Sequence, residues 1–198
     1  MRRKVLLGLL LPTLIAVVGI GQADPAEQLK QLLLTESQVQ EVLGQNWVIV
    51  NVDVATGLPA DTVSQVGTYK NREVVEQVLD IGLLDFSDEH LSGQFLEAIL
   101  AAKLVVGMVD IGKDKPEQLP EQLRPETKNV EKVVLVLLDN GLQQLMWKRQ
   151  TLLTFFRTPL AGQSPLTLEQ LIQVANRELT KLLEEFCPKA DPKPLYCP

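Results

Sequence analysis

Hydrophobic and polar positions change period repeatedly along this chain, and each change delimits an element. An uncharged apolar run from Val5 to Ile20 follows Arg2, Arg3 and Lys4 and precedes Gly21-Gln22-Ala23-Asp24. Pro25 to Leu34 then reads as a short helix. Thr35 or Ser37 caps a second one, which carries Val39, Val42 and Leu43 and stops at Gly44. From Asn46 to Val54 the period drops to two, with Val48, Val50, Val52 and Val54 on one face and Asp53 on the other, which predicts a strand. Ala55 to Thr68 holds Gly57, Pro59 and Gly67 and predicts a loop. Asn71 then introduces a helix with Val74, Val75, Val78 and Leu79 on one side, closed by Gly82. Ser87 caps the next helix, whose apolar face is Leu91, Phe95, Ala98, Ile99 and Ala102, and Lys103 to Ile111 turns strand-like around Gly107.

Lys113 to Asn129 breaks the pattern. It is charged, holds Pro116, Pro120 and Pro125, and repeats Pro-Glu-Gln-Leu back to back at 116–119 and 120–123. Proline at that spacing interrupts helix and ladder alike. A solvated connection is expected, either a flexible surface loop or a partner-binding one. Beyond it, Val130 to Leu138 and Leu142 to Gln150 flank Asp139-Asn140-Gly141. Asn-Gly between apolar strands predicts a type I′ hairpin, and pairing across it sets Leu138 opposite Gln143, Val136 opposite Leu145 and Val134 opposite Trp147. The first of these strands is apolar on both faces and is expected centrally in a sheet; the second alternates and is expected nearer an edge. Leu152, Leu153, Phe155 and Phe156 prolong the apolar run until Pro159 and Gly162.

Thr167 and Gln170 fit a capping box at the head of a long amphipathic helix. Leu168, Leu171, Ile172, Ala175, Leu179, Leu182, Leu183 and Phe186 share one stripe, the face expected to pack on a sheet. Glu169, Gln173, Arg177, Glu178, Lys181, Glu184 and Glu185 fall on the other. The predicted fold is α+β: an antiparallel sheet that includes the 130–150 hairpin, covered by helices, of which the C-terminal one is the largest.

Composition changes the picture at both ends of the chain. The basic head, apolar run and small residues before Asp24 have the form of an export signal cut between Ala23 and Asp24. An uncleaved anchor is the competing reading, but a spanning helix needs about 20 residues and Pro12 interrupts this one. Loss of residues 1–23 removes Arg2, Arg3 and Lys4 and no acid. The net charge of −6 then becomes −9, with 16 basic against 25 acidic residues. So acidic a chain disfavours nucleic acid and anionic membrane surfaces as partners. The cysteines, Cys187 and Cys197, are both followed by proline, and pair as a disulfide in an oxidising compartment. Three divisions follow: a signal at 1–23, a single globular domain at 24–186 with its Pro/Glu-rich loop at 113–129, and a disulfide-pinned tail at 187–198. The expected location is the bacterial periplasm, the extracellular space or an equivalent lumen.

Chemistry is harder to find. The single histidine, His90, follows Ser87-Asp88-Glu89, where the acids suit the first turn of a helix better than a catalytic cluster. The sequence has no nucleophile elbow, no zinc-protease motif, no phosphate-binding glycine loop and no dinucleotide fingerprint. No catalytic residue, cofactor or metal is therefore expected. The chain reads as an exported, non-enzymatic binding or accessory protein. It would act on an unknown protein partner through Pro116, Leu119, Pro120 and Leu123. The alternatives are a carrier of a small apolar ligand or lipid, motivated by the leucine content, and a carboxylate-based hydrolase.

Overall fold

The computed structural model describes residues 24–160 and 165–198. The expected leader with its cut after Ala23, and the stop at Gly162, lie outside them. α1 (Pro25–Leu32) and α2 (Glu36–Leu43) lead into β1 (Trp47–Asp53), β2 (Val63–Asn71) and β3 (Val78–Asp85). α3 (Glu89–Leu100) precedes β4 (Val105–Asp110), and the four-residue α4 (Ile111–Asp114) opens a run of three 3₁₀ turns. β5 (Lys132–Leu138), β6 (Leu142–Arg149) and β7 (Leu152–Pro159) follow, and α5 (Leu168–Thr180) continues as a π-helical turn through Lys181–Phe186. Among the described residues the strands form one antiparallel sheet in the order β1-β2-β3-β7-β6-β5-β4. The chain leaves β3 through α3 to the far edge, then meanders back until β7 closes against β3. This is the α+β fold read from the pattern, with the C-terminal helix as a cover.

The two faces of the sheet are buried unequally. One carries Trp47, Tyr69, Ile81, Leu145, Trp147 and Phe156 beneath α1, α2, α5 and the tail. The other carries Leu84, Val134, Val136, Met146 and Leu153, with α3 as its helix, which lays Leu91, Phe95, Leu96 and Ile99 upon them. Helix starts follow local chemistry: Thr35 and Thr167 each accept from the N3 amide while Gln38 and Gln170 reach back, two complete capping boxes. For α3 the cap is Asp88, accepting from the Leu91 amide, one residue beyond the expected Ser87.

Four expectations are corrected. The loop expected at 55–68 holds only as far as Thr62; residues 63–68 and the helix expected after Asn71 belong instead to the β2–β3 hairpin. Asn71 Oδ1 accepts from the Glu73 and Val74 amides at 2.9 and 3.2 Å, the same hydrogen bonds a helix cap makes, but here they tighten a turn. Gly82 ends no helix; it sits within β3, where a Cβ would lie 2.1 Å from the Phe155 ring. The 139–141 turn is a three-residue loop, with Gly141 at φ 75° and its amide bonded to the Leu138 carbonyl. It is the type I turn plus bulge, not the type I′ turn. Register moves by one, to Leu137 opposite Gln143, Val136 opposite Gln144 and Val133 opposite Trp147. β6 lies inside the sheet, between β5 and β7, while β5 is next to the edge strand β4.

The fourth correction concerns residues 113–129. Pro116 and Pro125 occupy the first residue of a 3₁₀ turn and Pro120 precedes one, positions where a fixed φ and a missing amide cost little. Each Pro-Glu-Gln-Leu repeat makes one turn and drives its leucine inward: Leu119 and Leu123 are 2% and 0% exposed and belong to the main core. Thr180 on α5 donates to Gln122 at 2.8 Å and Arg124 to the Leu119 carbonyl at 3.0 Å. The segment is therefore packed, not a free solvated connection.

Candidate functional site

A polar side chain in the middle of an apolar strand is costly unless it finds a partner. Asp80 lies between Leu79 and Ile81 on β3, Arg157 between Phe156 and Thr158 on β7, and Gln144 beside Leu145 on β6. Antiparallel pairing sets Thr68 opposite Asp80, Asp80 opposite Arg157 and Arg157 opposite Gln144. One polar row thus crosses four strands on the α3 face. Thr68 Oγ1 donates to Asp80 Oδ1 at 2.8 Å, and Arg157 Nε and Nη2 donate to Asp80 Oδ2 at 3.2 and 2.8 Å. The Arg157 guanidinium also lies 5.6 Å from the centre of the Phe155 ring. Gln144 is 8% exposed, and its side-chain amide makes no hydrogen bond to the described residues.

Beside this row a cleft of about 300 Å³ opens between α3, the segment around Leu58 and the sheet. Leu84, Phe95, Ile99, Leu138 and Phe155 form its apolar walls, and Leu104, 45% exposed, its rim. Gln144 and Arg157 are its polar groups, and no acidic side chain among the described residues lines it. Gly82 permits this geometry, since only a residue without Cβ lets the Phe155 ring lie down on β3.

A second polar cluster sits on the covered face. Glu178, placed on the polar side of α5 by its spacing, is 1% exposed, and Lys181 is 7% exposed. The chain between α1 and α2 crosses this flank of α5. The Leu34 backbone favours the Glu178 carboxylate, whose Oε2 is unpartnered. Lys181 Nζ donates to the Leu33 carbonyl, and the Tyr69 hydroxyl to the Leu34 carbonyl. Burial pushes the Glu178 carboxyl up to about 8, against the pull of Lys181 and Arg177, and burial pulls Lys181 down against the pull of Glu178. Burial likewise raises the Tyr69 hydroxyl. At the rim Arg177 bridges Glu41 at 3.3 Å and Glu185 at 2.8 Å. This arrangement clamps the α1–α2 connection.

The residues singled out from sequence are dispersed. Leu119 and Leu123 are in the core and Pro116 and Pro120 are half-buried, so the expected interaction loop offers no leucine to a partner. His90 is exposed on α3, on a broad shallow depression with Glu89, Glu97 and Lys148. Asp24 caps α1 by accepting from the Ala26 amide. Cys187 and Cys197 form a disulfide with their Cα atoms 5.4 Å apart, and the buried Arg149 ties the tail down by donating to the Tyr196 carbonyl at 2.6 Å. Asp80, Gln144 and Arg157 escaped notice. Their one local signal is a polar residue interrupting each of three apolar strands.

No protein-family model matches the chain, and no curated protein is similar to it in sequence. Among solved structures it is similar to the extracellular domain of PknH from Mycobacterium tuberculosis, with 13% identity and a TM-score of 0.48, over 80% of this chain and 96% of that one. That likeness bears on neither the site nor the function. Among the described residues, no helix is long and apolar enough to cross a membrane.

Proposed function

We propose that the mature domain is an exported, non-enzymatic binding module that holds a small apolar ligand in the cleft beside α3. The cleft itself carries this reading: a recess of about 300 Å³ with apolar walls and a few convergent polar groups has the size and make-up of a small-molecule site. Export is supported by the leader pattern and by a disulfide of the kind that persists in oxidising compartments. The apolar-ligand alternative thereby moves ahead of the Pro-Glu-Gln-Leu loop, whose leucines are committed to the core. Titration with N-phenyl-1-naphthylamine tests it. The dye should bind with enhanced, blue-shifted emission, and Ala102→Trp, which fills the cleft, should abolish the signal while far-UV circular dichroism is unchanged. Wild-type protein that leaves the dye emission unaltered removes the reading.

A protein-contact reading has one specific observation in its favour. β4 is an edge strand with Val106 and Met108 exposed by 66% and 54%, and apolar edges invite strand addition. Its pairing with β5 shifts register between Val105 and Gly107, an irregularity that partly guards the edge. Val106→Lys with Met108→Lys should abolish association seen by sedimentation while sparing dye uptake; a wild-type chain that sediments as a monomer throughout excludes self-pairing.

A further inference from the structure

The polar row beside the cleft specifies more than an apolar cargo. We infer, building on the binding role proposed for this cleft, that its ligand is a single-chain amphiphile with an anionic head, a medium-chain carboxylate, whose head is read by Arg157 and Gln144.

Charge is the first argument. The mature chain has a net charge of −9, yet the one charged residue lining the cleft is a cation. Asp80, the partner of that cation, is not in the lining; it sits one strand away on β3 and holds Nε and Nη2 of the guanidinium from the side. Thr68 fixes Asp80 in turn, and the Phe155 ring supports the guanidinium, so its direction is set before any ligand arrives. A preorganised guanidinium in the wall of an apolar recess favours a carboxylate over a neutral or cationic head.

Gln144 is the second and independent argument. Its side chain lines the cleft at 8% exposure, and its amide is not one of the sealed, unpartnered polar atoms of the described residues, so it opens onto the recess where a ligand head would lie. Cross-strand pairing sets it opposite Arg157. The two groups therefore offer adjacent N–H donors to one oxygen pair, with the apolar walls Leu84, Phe95, Ile99 and Leu138 continuing away from them. At about 300 Å³ the cleft lies at the lower end of small-molecule sites, which suits a single chain of medium length better than a larger lipid.

Calorimetric titration of the full mature chain with decanoate, decanol and decyltrimethylammonium at pH 7.5 tests the assignment. Decanoate should bind at least tenfold more tightly than decanol, and the cation most weakly. Arg157→Met and Gln144→Leu should each weaken decanoate by tenfold or more and leave decanol within threefold. Because Arg157→Met leaves Asp80 without its cation, the double variant Asp80→Asn/Arg157→Met, which keeps the row neutral, provides the same readout in a balanced background. Equal affinity for decanoate and decanol overturns the head-group assignment while leaving the cleft as an apolar site. Decanoate binding that is unaffected by both Arg157→Met and the double variant also overturns it. If none of the three probes binds and the naphthylamine dye is silent too, the cleft reading falls and this inference with it.

Discussion

The covered face of the sheet and the α3 face bury similar kinds of residue by unequal means. On the covered face three helices, a packed run of 3₁₀ turns and the disulfide-bonded tail close over the strands. Even ionisable groups, Glu178 and Lys181, are swallowed there and used to hold the α1–α2 connection. On the α3 face one twelve-residue helix lies over the sheet, and the ground it does not cover becomes a cleft with Arg157 and Gln144 in its wall. The difference is one of closure: one face is sealed, and the other is left open at the cleft proposed above as a ligand site.

The largest effect should come from removing a ring from each face. Phe156 is fully buried against the covered core, and Phe156→Ala should cost about 3–5 kcal/mol, the range for a truncated core aromatic. Phe95 is half-buried and packs tilted against Phe86 with ring centres 5.2 Å apart, so Phe95→Ala should cost about half as much. Urea unfolding of the two variants measures the contrast. Equal losses would mean that the α3 face is as tightly closed as the other.

Next comes the tail, which belongs to the covered face through Cys187, Tyr196 and Cys197. Cys187→Ser with Cys197→Ser opens a ring of ten-residue separation and should lower stability by about 2.5–3 kcal/mol on the loop-entropy estimate. Decanoate or dye binding in the cleft should be retained in the folded fraction. A stability unchanged by reduction would show that the tail does not help seal that face.

Acidity offers a subtler probe of the same face. Burial raises Glu178 from 4.5 to about 8, with Lys181, Arg177 and Glu185 on α5, Tyr69 on β2 and the Leu34 backbone around it. A raised carboxyl keeps its proton in the folded state. Its stabilisation is complete below the unfolded value and is lost as pH climbs through the folded one. Lys181 is shifted the other way: its folded state favours the neutral amine, so its contribution is complete above 10.5 and is lost as pH falls through its lowered folded value. Between pH 5 and 8 the thermal midpoint of the wild type should therefore decline, and in Glu178→Gln the decline should be smaller. Matching profiles for the two proteins would place a charged Glu178 in the fold and discard this account.

What was legible in the sequence was local. The capping box at Thr167 is written within four residues and its helix starts there, while of the two caps expected for the second helix, Thr35 or Ser37, Thr35 is the one used. The apolar runs of β5, β6 and β7 are equally plain. Asn71 deceived because an Asx turn and a helix cap share their hydrogen bonds, and Val74, Val75, Val78 and Leu79 happen to fall at helical spacing. Pairing of β3 with both β2 and β7 outweighs that spacing. The candidate site was not legible because it is made by register alone: Asp80 and Arg157 meet across 77 residues. The burial of Glu178 and Lys181 is equally non-local, since the chain that covers them, at Leu33 and Leu34, lies about 145 positions earlier; Lys181 is 148 residues from its partner Leu33.

The smallest predicted effect is also the most discriminating, because it compares two adjacent residues of one kind. Gln143 and Gln144 are consecutive on β6, so the pleat points them to opposite faces. On the covered face Gln143 Nε2 donates to the Leu166 carbonyl at 2.7 Å and is 6% exposed. Replacing it by Leu deletes a buried hydrogen bond and strands a carbonyl, which should cost about 1–2 kcal/mol. On the other face Gln144 has no such bond to lose, and Gln144→Leu adds apolar surface to an apolar wall. Its stability should be unchanged or raised by about 0.5 kcal/mol. Chemical denaturation of the two variants side by side gives the sign of each change. A loss at position 144 as large as that at 143 would mean that its amide is already satisfied in the empty protein, and it would leave no idle donor in the cleft for a ligand to engage.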